Sequence, residues 1–517
     1  MQKCINYRQK NTGKNKVKKF LLIIFPVLIF FLSFISCVNK NERQIEYEII
    51  DGQKIYYARN AVLNDVLVYY IDQNRLGRNN FVGNFSKDES AVTFFIDVPD
   101  SNFYDIIVSS AAAYGNGHKI NTVMVNNHQV GEIKTAENNE FAENEIKYVY
   151  LEKGLNEIKI KKYWGWFFVD YLYIRQSKDL SNIAYNISSN LSNPNSSERT
   201  KRLMNYICEI YGKQTLSGQS GGGINSNEFK AIHSVTGKYP AIMMLDMMDY
   251  SPTRVTYGAR GTSIEEAIEW HDMGGIVKYL WHWNAPKDLP DTPENRWWSG
   301  FYTRATTFDF AKAISKEDME GYNLLLRDID VISEQFKRLN DLDIPILWRP
   351  LHEASGGWFW WGAFGADAFK QLWILMYDRM TNYHQLNNII WVWNGGEKEW
   401  FPGAEYVDLV GEDIYPPARE YGSLASKFYE IVEYLHELGT MKPIGLTECG
   451  TLPDINKMER DKSMWFMFAA WNSEFVNKKV NDRFTSEYSD EYTETEHLIM
   501  MYNDKRVITL NDIPDLR

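Results

Sequence analysis

From about Thr200 onward the chain repeats a single rhythm, strand then loop then helix, and this rhythm constrains the fold more than any other feature. Eight short apolar runs carry it: 214–218, 241–246, 275–281, 345–349, 388–393, 407–411, 443–447 and 464–471. These runs do not alternate polar with apolar, as a half-exposed strand would. Most of them are near-continuously apolar, as expected of parallel strands buried on both faces. Helical patterns such as 320–339 and 366–383 lie between them. Eight such units over residues 200–517 predict an α/β fold of the (β/α)₈ barrel type with long loops. A doubly wound open sheet is the alternative, but no glycine-rich phosphate loop opens its first helix.

The segment 45–176 reads differently. Short β-branched or alternating runs recur at 91–98, 104–108, 122–125, 157–160 and 167–174, separated by turn pairs such as Asn126-Asn127 and Lys153-Gly154. That spacing predicts an all-β sandwich ahead of the barrel. Residues 177–197 hold seven Ser and five Asn, so 177–199 is expected to be a linker.

The first 37 residues form a leader. Seven basic and no acidic residues precede Cys37, and an apolar run from Phe20 to Ile35 lies between. Sixteen apolar residues interrupted by Pro26 are short for a membrane span, which favours an export signal. Ser36-Cys37 resembles a bacterial lipobox, and implies a protein exported and lipid-anchored to a membrane through Cys37; an ordinary signal peptide or an uncleaved anchor is the alternative. Only Cys208 and Cys449 remain in the body, too few for a disulfide framework. The net charge of −12 becomes −19 without the leader, which argues against nucleic acid or an anionic surface and for a neutral ligand. A monomer is expected.

Reacting groups of a (β/α)₈ barrel come from the C-terminal ends of its strands. Glu353 lies just past the fourth strand, in Trp348-Arg349-Pro350-Leu351-His352-Glu353-Ala354-Ser355-Gly356-Gly357-Trp358. Glu448 ends the seventh, in Pro443-Ile444-Gly445-Leu446-Thr447-Glu448-Cys449-Gly450. Two strand-end carboxyl groups among aromatic side chains suit glycosidic bond cleavage, in which one protonates the leaving oxygen and the other attacks the sugar carbon. The tryptophan-rich loop after Glu353 would desolvate it and raise its pKa, as a proton donor needs. Around this pair, His282 and His352 are candidates to bond sugar hydroxyls or a carboxylate, and Arg349 to orient a carboxylate bidentately. Tyr415 could donate to the nucleophile, and Asp246 ends the second strand. Trp358, Trp361 and Trp471 are candidates either for sugar stacking or for the core. Zinc is a competing use of two histidines, but no spaced third ligand accompanies them. Cys449 reads as a packed side chain.

Residues 348–362 resemble the acid/base motif of glycoside hydrolase family 26, in which histidine (here His352) precedes the glutamate where related families usually carry asparagine. Residues 437–450 resemble its nucleophile segment and 506–510 its C-terminal ending. The resemblance implies a retaining endo-β-1,4-mannanase that hydrolyses β-mannan polysaccharide or oligosaccharide with no catalytic cofactor. Glu353 would be its acid/base and Glu448 its nucleophile, with His282, His352, Trp358, Tyr415 and Trp471 in subsite or support roles. The same motifs admit an exo-acting mannobiohydrolase, a mixed-linkage β-glucanase or a β-1,3-xylanase. A non-catalytic glycan-binding surface lipoprotein would keep the aromatic residues but could lose either glutamate. The front domain resembles family 35 carbohydrate-binding modules. Phe81-Val82-Gly83 fits them, Glu46, Glu48 and Asp170 would be ligands of a structural calcium or plain surface acids, and Trp164 and Trp166 would be sugar-binding rings. A spacer without binding activity is the other reading of this domain.

Overall fold

The computed structural model describes residues 45–70, 80–113, 117–136 and 139–516. The leader 1–37 and its Cys37 lie outside them. Residues Glu46–Arg517 form one compact unit.

The front region is a sandwich of two antiparallel sheets. One sheet runs in the order Val62–Asn64, Ala91–Val98, Gly154–Trp164, Ile120–Val125, His128–Lys134. The other is built on Asn102–Ala112, Ala142–Leu151 and Phe167–Gln176. Alternation explains the pairing: in Ile120–Val125 every second side chain (Asn121, Val123, Val125) is buried, so one face of the strand meets the opposite sheet.

In the second region eight parallel strands close on themselves, the first pairing with both the second and the eighth. We number them β1 (Thr215–Ser220), β2 (Ile242–Asp246), β3 (Ile276–Leu280), β4 (Ile346–Arg349), β5 (Ile389–Trp393), β6 (Leu409–Ile414), β7 (Ile444–Cys449) and β8 (Met467–Ala470). This is the (β/α)₈ barrel, and each strand falls on one of the eight apolar runs. A short ninth strand, Val507–Ile508, pairs in parallel with the N-terminal end of β1 at Thr215 and Leu216. Most tryptophans turn out to be structural. Trp270, Trp281, Trp283, Trp348, Trp360, Trp361, Trp373, Trp391, Trp393 and Trp465 are all fully buried. At about 150–250 Å² per ring and ~25 cal/mol/Å², each contributes roughly 4–6 kcal/mol of transfer free energy.

Segment 177–199 is laid along the barrel rather than strung between domains. Leu180 and Ala184 are buried. The Tyr185 hydroxyl donates to the Lys462 carbonyl at 2.5 Å, and the Ser192 amide donates to Asp408 at 2.5 Å. The sandwich docks on the barrel helix Ala425–Glu437 through a bulge between Ile146 and Val149. At that bulge Tyr148 adopts φ 56°, an unusual backbone for a bulky residue. The bulge carries its ring, buried, to 5.3 Å from that of Tyr429. Lys147 pairs with Glu433 at 2.7 Å beside it, and Phe103 meets Tyr429 edge-on.

Candidate active site

β4 ends at Arg349, which the barrel interior buries completely. Pro350 stops the strand, and the chain turns through Leu351 (φ 51°) and Glu353 (φ 54°). This tight turn is fixed from β5: the Glu353 amide donates to both the carbonyl (2.8 Å) and the side-chain oxygen (2.9 Å) of Asn394. The loop then folds back on itself. A Cβ on Gly362 would stand 2.0 Å from the Ala354 carbonyl oxygen, so only glycine lets the Trp358–Gly362 segment close over Ala354. Closure brings Trp358 Nε1 to 2.9 Å from Glu353 Oε2.

β7 delivers Glu448 from the other side, 4 % exposed. Arg349 donates to Glu448 Oε1 and, at 2.6 Å, to Asp413 Oδ2. The Tyr415 hydroxyl donates to Glu448 Oε2 at 2.7 Å. Asp413 also accepts from the Thr447 hydroxyl at 2.7 Å, and the Asn394 side-chain amide donates to that hydroxyl at 3.1 Å. One network thus runs from the Glu353 backbone through Asn394, Thr447, Asp413 and Arg349 to Glu448. Carboxylate oxygens of Glu353, Asp413 and Glu448 lie within 4.8 Å of one another.

The electrostatics separate the two glutamates. Burial, then the charges of Asp413 and Glu448, push Glu353 up to about 8. The hydrogen bond from Trp358 and the Arg349 charge oppose this without reversing it. Burial pushes Asp413 up to about 6 against the pull of Arg349. Burial disfavours the Arg349 charge, yet Asp413 and Glu448 hold its guanidinium above its ordinary value. Glu448 accepts from two donors, a guanidinium and a phenol, the arrangement an ionised carboxylate takes. Beneath them Lys278 on β3 is fully buried and donates from Nζ to the Thr447 carbonyl at 3.0 Å. Burial, followed by the nearby Arg349 charge, holds Lys278 well below its usual value.

His282 follows β3 and is oriented by Asp246 at the end of β2, Nδ1 to Oδ2 at 2.6 Å. Its ring lies perpendicular to His352 at 4.9 Å and 6.0 Å from the ring of half-buried Trp471. Phe301 and Phe359 close the same wall.

Three sequence expectations need correction. Trp361 is 0 % exposed and donates to the His352 carbonyl at 2.8 Å, so it supports the loop and cannot stack on a sugar. His352 is 1 % exposed, and burial with the Arg349 charge holds it well below its usual value; it packs as a neutral ring under the site. Arg349 orients carboxylates as expected, but it bridges Glu448 and Asp413 rather than gripping one of them bidentately, and with no exposed surface it does not reach substrate. Trp358, 48 % exposed, and Tyr415, 42 % exposed, do face the opening.

In the sandwich, Glu46, Glu48 and Asp170 form no three-carboxylate cluster among the described residues. Glu46 and Glu48 are exposed, Glu48 pairs with Arg59 at 3.3 Å, and Asp170 is buried. The three carboxylates therefore do not by themselves supply the oxygen cage that calcium needs. Trp164 and Trp166 are both exposed, and Lys119 lies over the Trp164 ring. In the barrel the Glu353–Asp413–Glu448 group could in principle hold a cation, but Arg349 already supplies a positive charge to two of its three members.

Asp413, Asn394, Thr447 and Lys278 were not singled out from sequence. Asn394 carries the same signal as the glutamates, a polar residue after an apolar strand and before glycines (Trp393-Asn394-Gly395-Gly396). Lys278 sits inside an otherwise apolar run, and an unexplained charge there was readable as buried.

Residues 192–497 match the model of glycosyl hydrolase family 26, and 54–177 match carbohydrate binding module family 35. A mannan endo-1,4-β-mannosidase of Thermothelomyces thermophilus is 38 % identical, over 89 % of this chain and 90 % of that protein. Mannan endo-1,4-β-mannosidase A of a Piromyces species is 33 % identical over 90 % of this chain and 73 % of that protein. The crystal structure of a Podospora anserina GH26-CBM35 β-(1,4)-mannanase superposes with a TM-score of 0.61 at 37 % identity, covering 89 % of this chain and 98 % of that one. The chain therefore belongs to glycosyl hydrolase family 26, with a family 35 carbohydrate-binding module ahead of its barrel.

Proposed function

We propose that this glycoside hydrolase is a retaining endo-β-1,4-mannanase. The observation that carries the mechanism is the spacing of the two glutamates, whose oxygens approach within 4.8 Å. So close an approach fits the pair of double displacement, roughly 5–5.5 Å apart, better than the ~6.5–9.5 Å that inversion needs for its water. The substrate reading is supported by the relatives named above, all β-mannanases by name and similar along both domains.

In the first step a Glu448 oxygen bonds to the anomeric carbon as the glycosidic C–O bond breaks. The Glu353 proton passes to the leaving oxygen. Glu353 is protonated at neutral pH because its site is dry and ringed by acids. Trp358 and Asn394 fix its position. In the second step Glu353, now a carboxylate, takes a proton from water. The water oxygen bonds to the anomeric carbon, and the ester to Glu448 breaks. Arg349 and Tyr415 orient Glu448 and balance its charge. His282, aimed by Asp246, and the exposed ring of Trp358 are placed to meet hydroxyls and the face of a sugar. Export and anchoring through Cys37 would put this activity at a bacterial membrane.

Measuring reducing ends released from β-mannan, lichenan and β-1,3-xylan tests the substrate. Mannan should be cleaved fastest, with internal cuts that lower viscosity early. Preference for lichenan or β-1,3-xylan would overturn the assignment, and release of mannobiose alone would make the enzyme exo-acting.

A further inference from the structure

Between the sandwich and the barrel runs a groove of about 1080 Å³ whose walls come from both. This is at the upper end of, or beyond, the ~300–1,000 Å³ typical of a small-molecule pocket, and open enough for a polymer. One wall is the sandwich hairpin around Gln129 and Glu132. The other is the barrel loop after β6, from Ile414 through Glu420 to Lys427. Tyr415, whose hydroxyl holds Glu448, is one of its lining residues, so the groove adjoins the catalytic site at that side chain.

We infer that this groove is a second glycan-binding segment of the enzyme, built jointly by the two domains, which takes a neutral stretch of the same polysaccharide beyond the residues held at the reacting bond. This rests on the reading of the barrel as a β-mannan hydrolase. Three observations point to that occupant.

The charge pattern excludes an anionic chain. Seven carboxylates line the groove against four lysine and arginine side chains. Lys147 is tied to Glu433, Lys427 to Glu430 and Arg460 to Asp461, and Lys457 is turned onto the Tyr421 carbonyl.

The groove combines apolar faces with hydrogen-bonding groups, as a chain of hydroxylated rings requires. The exposed ring of Tyr415 and the adjoining Pro416 and Pro417 offer flat apolar surface, while Gln129, Glu132 and Glu420 offer polar groups.

The walls are held at a fixed distance. The buried Tyr148 bulge locks the sandwich to the barrel helix, and the Gln129 backbone N–H donates to Glu420 Oε2 at 3.2 Å across the junction. A preformed groove avoids the ordering cost that a loosely tethered module would incur on binding.

The test uses the full chain. Gln129→Ala/Glu132→Ala on the sandwich wall and Glu420→Ala on the barrel wall are compared with the wild type, on soluble β-mannan and on an aryl β-mannobioside too short to leave the catalytic opening. Each variant should lose about three- to tenfold in kcat/KM on the polymer, carried by KM, and hydrolyse the short substrate as the wild type does. Equal kcat/KM on the polymer, or an equal loss on both substrates, would overturn the groove. Failure of the wild type to cleave mannan would instead overturn the substrate reading, so the two failures are distinguishable.

Discussion

The ends of β4 and β7 present the same side chain to the same opening and treat it in opposite ways. At the end of β7, Glu448 sits on the strand itself and is gripped by a guanidinium and a phenol. At the end of β4, Glu353 stands on a turn outside the strand, held mainly by its backbone, with a lone indole N–H on its carboxyl group. Donors around one carboxyl suit an anion that must attack; burial and the neighbouring Asp413 and Glu448 charges, with few donors to oppose them, keep a proton on the other. Function here is written in the surroundings of each acid, not in its identity.

Removing each side of this asymmetry should have different consequences. Glu448→Ala is expected to lower kcat roughly 10⁴-fold or more while still binding mannohexaose in calorimetry. Turnover near the wild-type rate would break the comparison.

Arg349→Met should damage the β7 side through structure. It leaves the buried Glu448 and Asp413 without their cation, a change that typically costs about 3–5 kcal/mol. Urea unfolding should report this, and unchanged stability would mean that the ion pair is not formed as described.

Glu353→Ala should cost about 10²–10⁴-fold on polymer and much less on substrates with activated leaving groups, which need no proton. An equal loss on both would contradict its acid role.

The pH profile sharpens the same contrast. The reactive form of Glu353 is protonated, and its pKa in the free enzyme is raised to about 8, so kcat/KM should hold through neutrality and fall as pH rises through about 8. An alkaline limb near the ordinary glutamate value would place the donor elsewhere.

Asp246→Asn is the mildest case. It weakens the charge-assisted bond that aims His282 and should raise KM by about tenfold or less, at ~1.4 kcal/mol per decade, with kcat little changed. A loss in kcat as large as that of Glu353→Ala would instead place His282 in the chemistry.

The sequence carried the barrel clearly because buried parallel strands must be apolar throughout, and nothing else in the chain produces eight such runs. It also carried the two glutamates, since a strand end followed by glycine has few structural reasons to hold an acid. What it could not carry was depth. Trp358 and Trp361 stand three residues apart in one motif, yet one faces the opening and the other has no exposed surface. The difference is made by the Gly362 turn, which no periodicity encodes. Asp413 is hard to read for a related reason: β6 runs on through Ile414, past the apolar stretch 407–411 that marks it, and composition does not show which strand-end acid turns its side chain into the interior, as Asp413 does. Residues 177–199 have the composition of a tether, but composition does not reveal that Leu180, Ala184 and Tyr185 find a surface to lie on.

The stereochemistry of the first product tests the central claim most directly. Proton NMR of the anomeric signals during early hydrolysis of mannohexaose should show the β-anomer first, with the α-anomer growing only by mutarotation. An α-anomer at the outset would mean inversion, and would contradict a mechanism in which Glu448 bonds to the sugar.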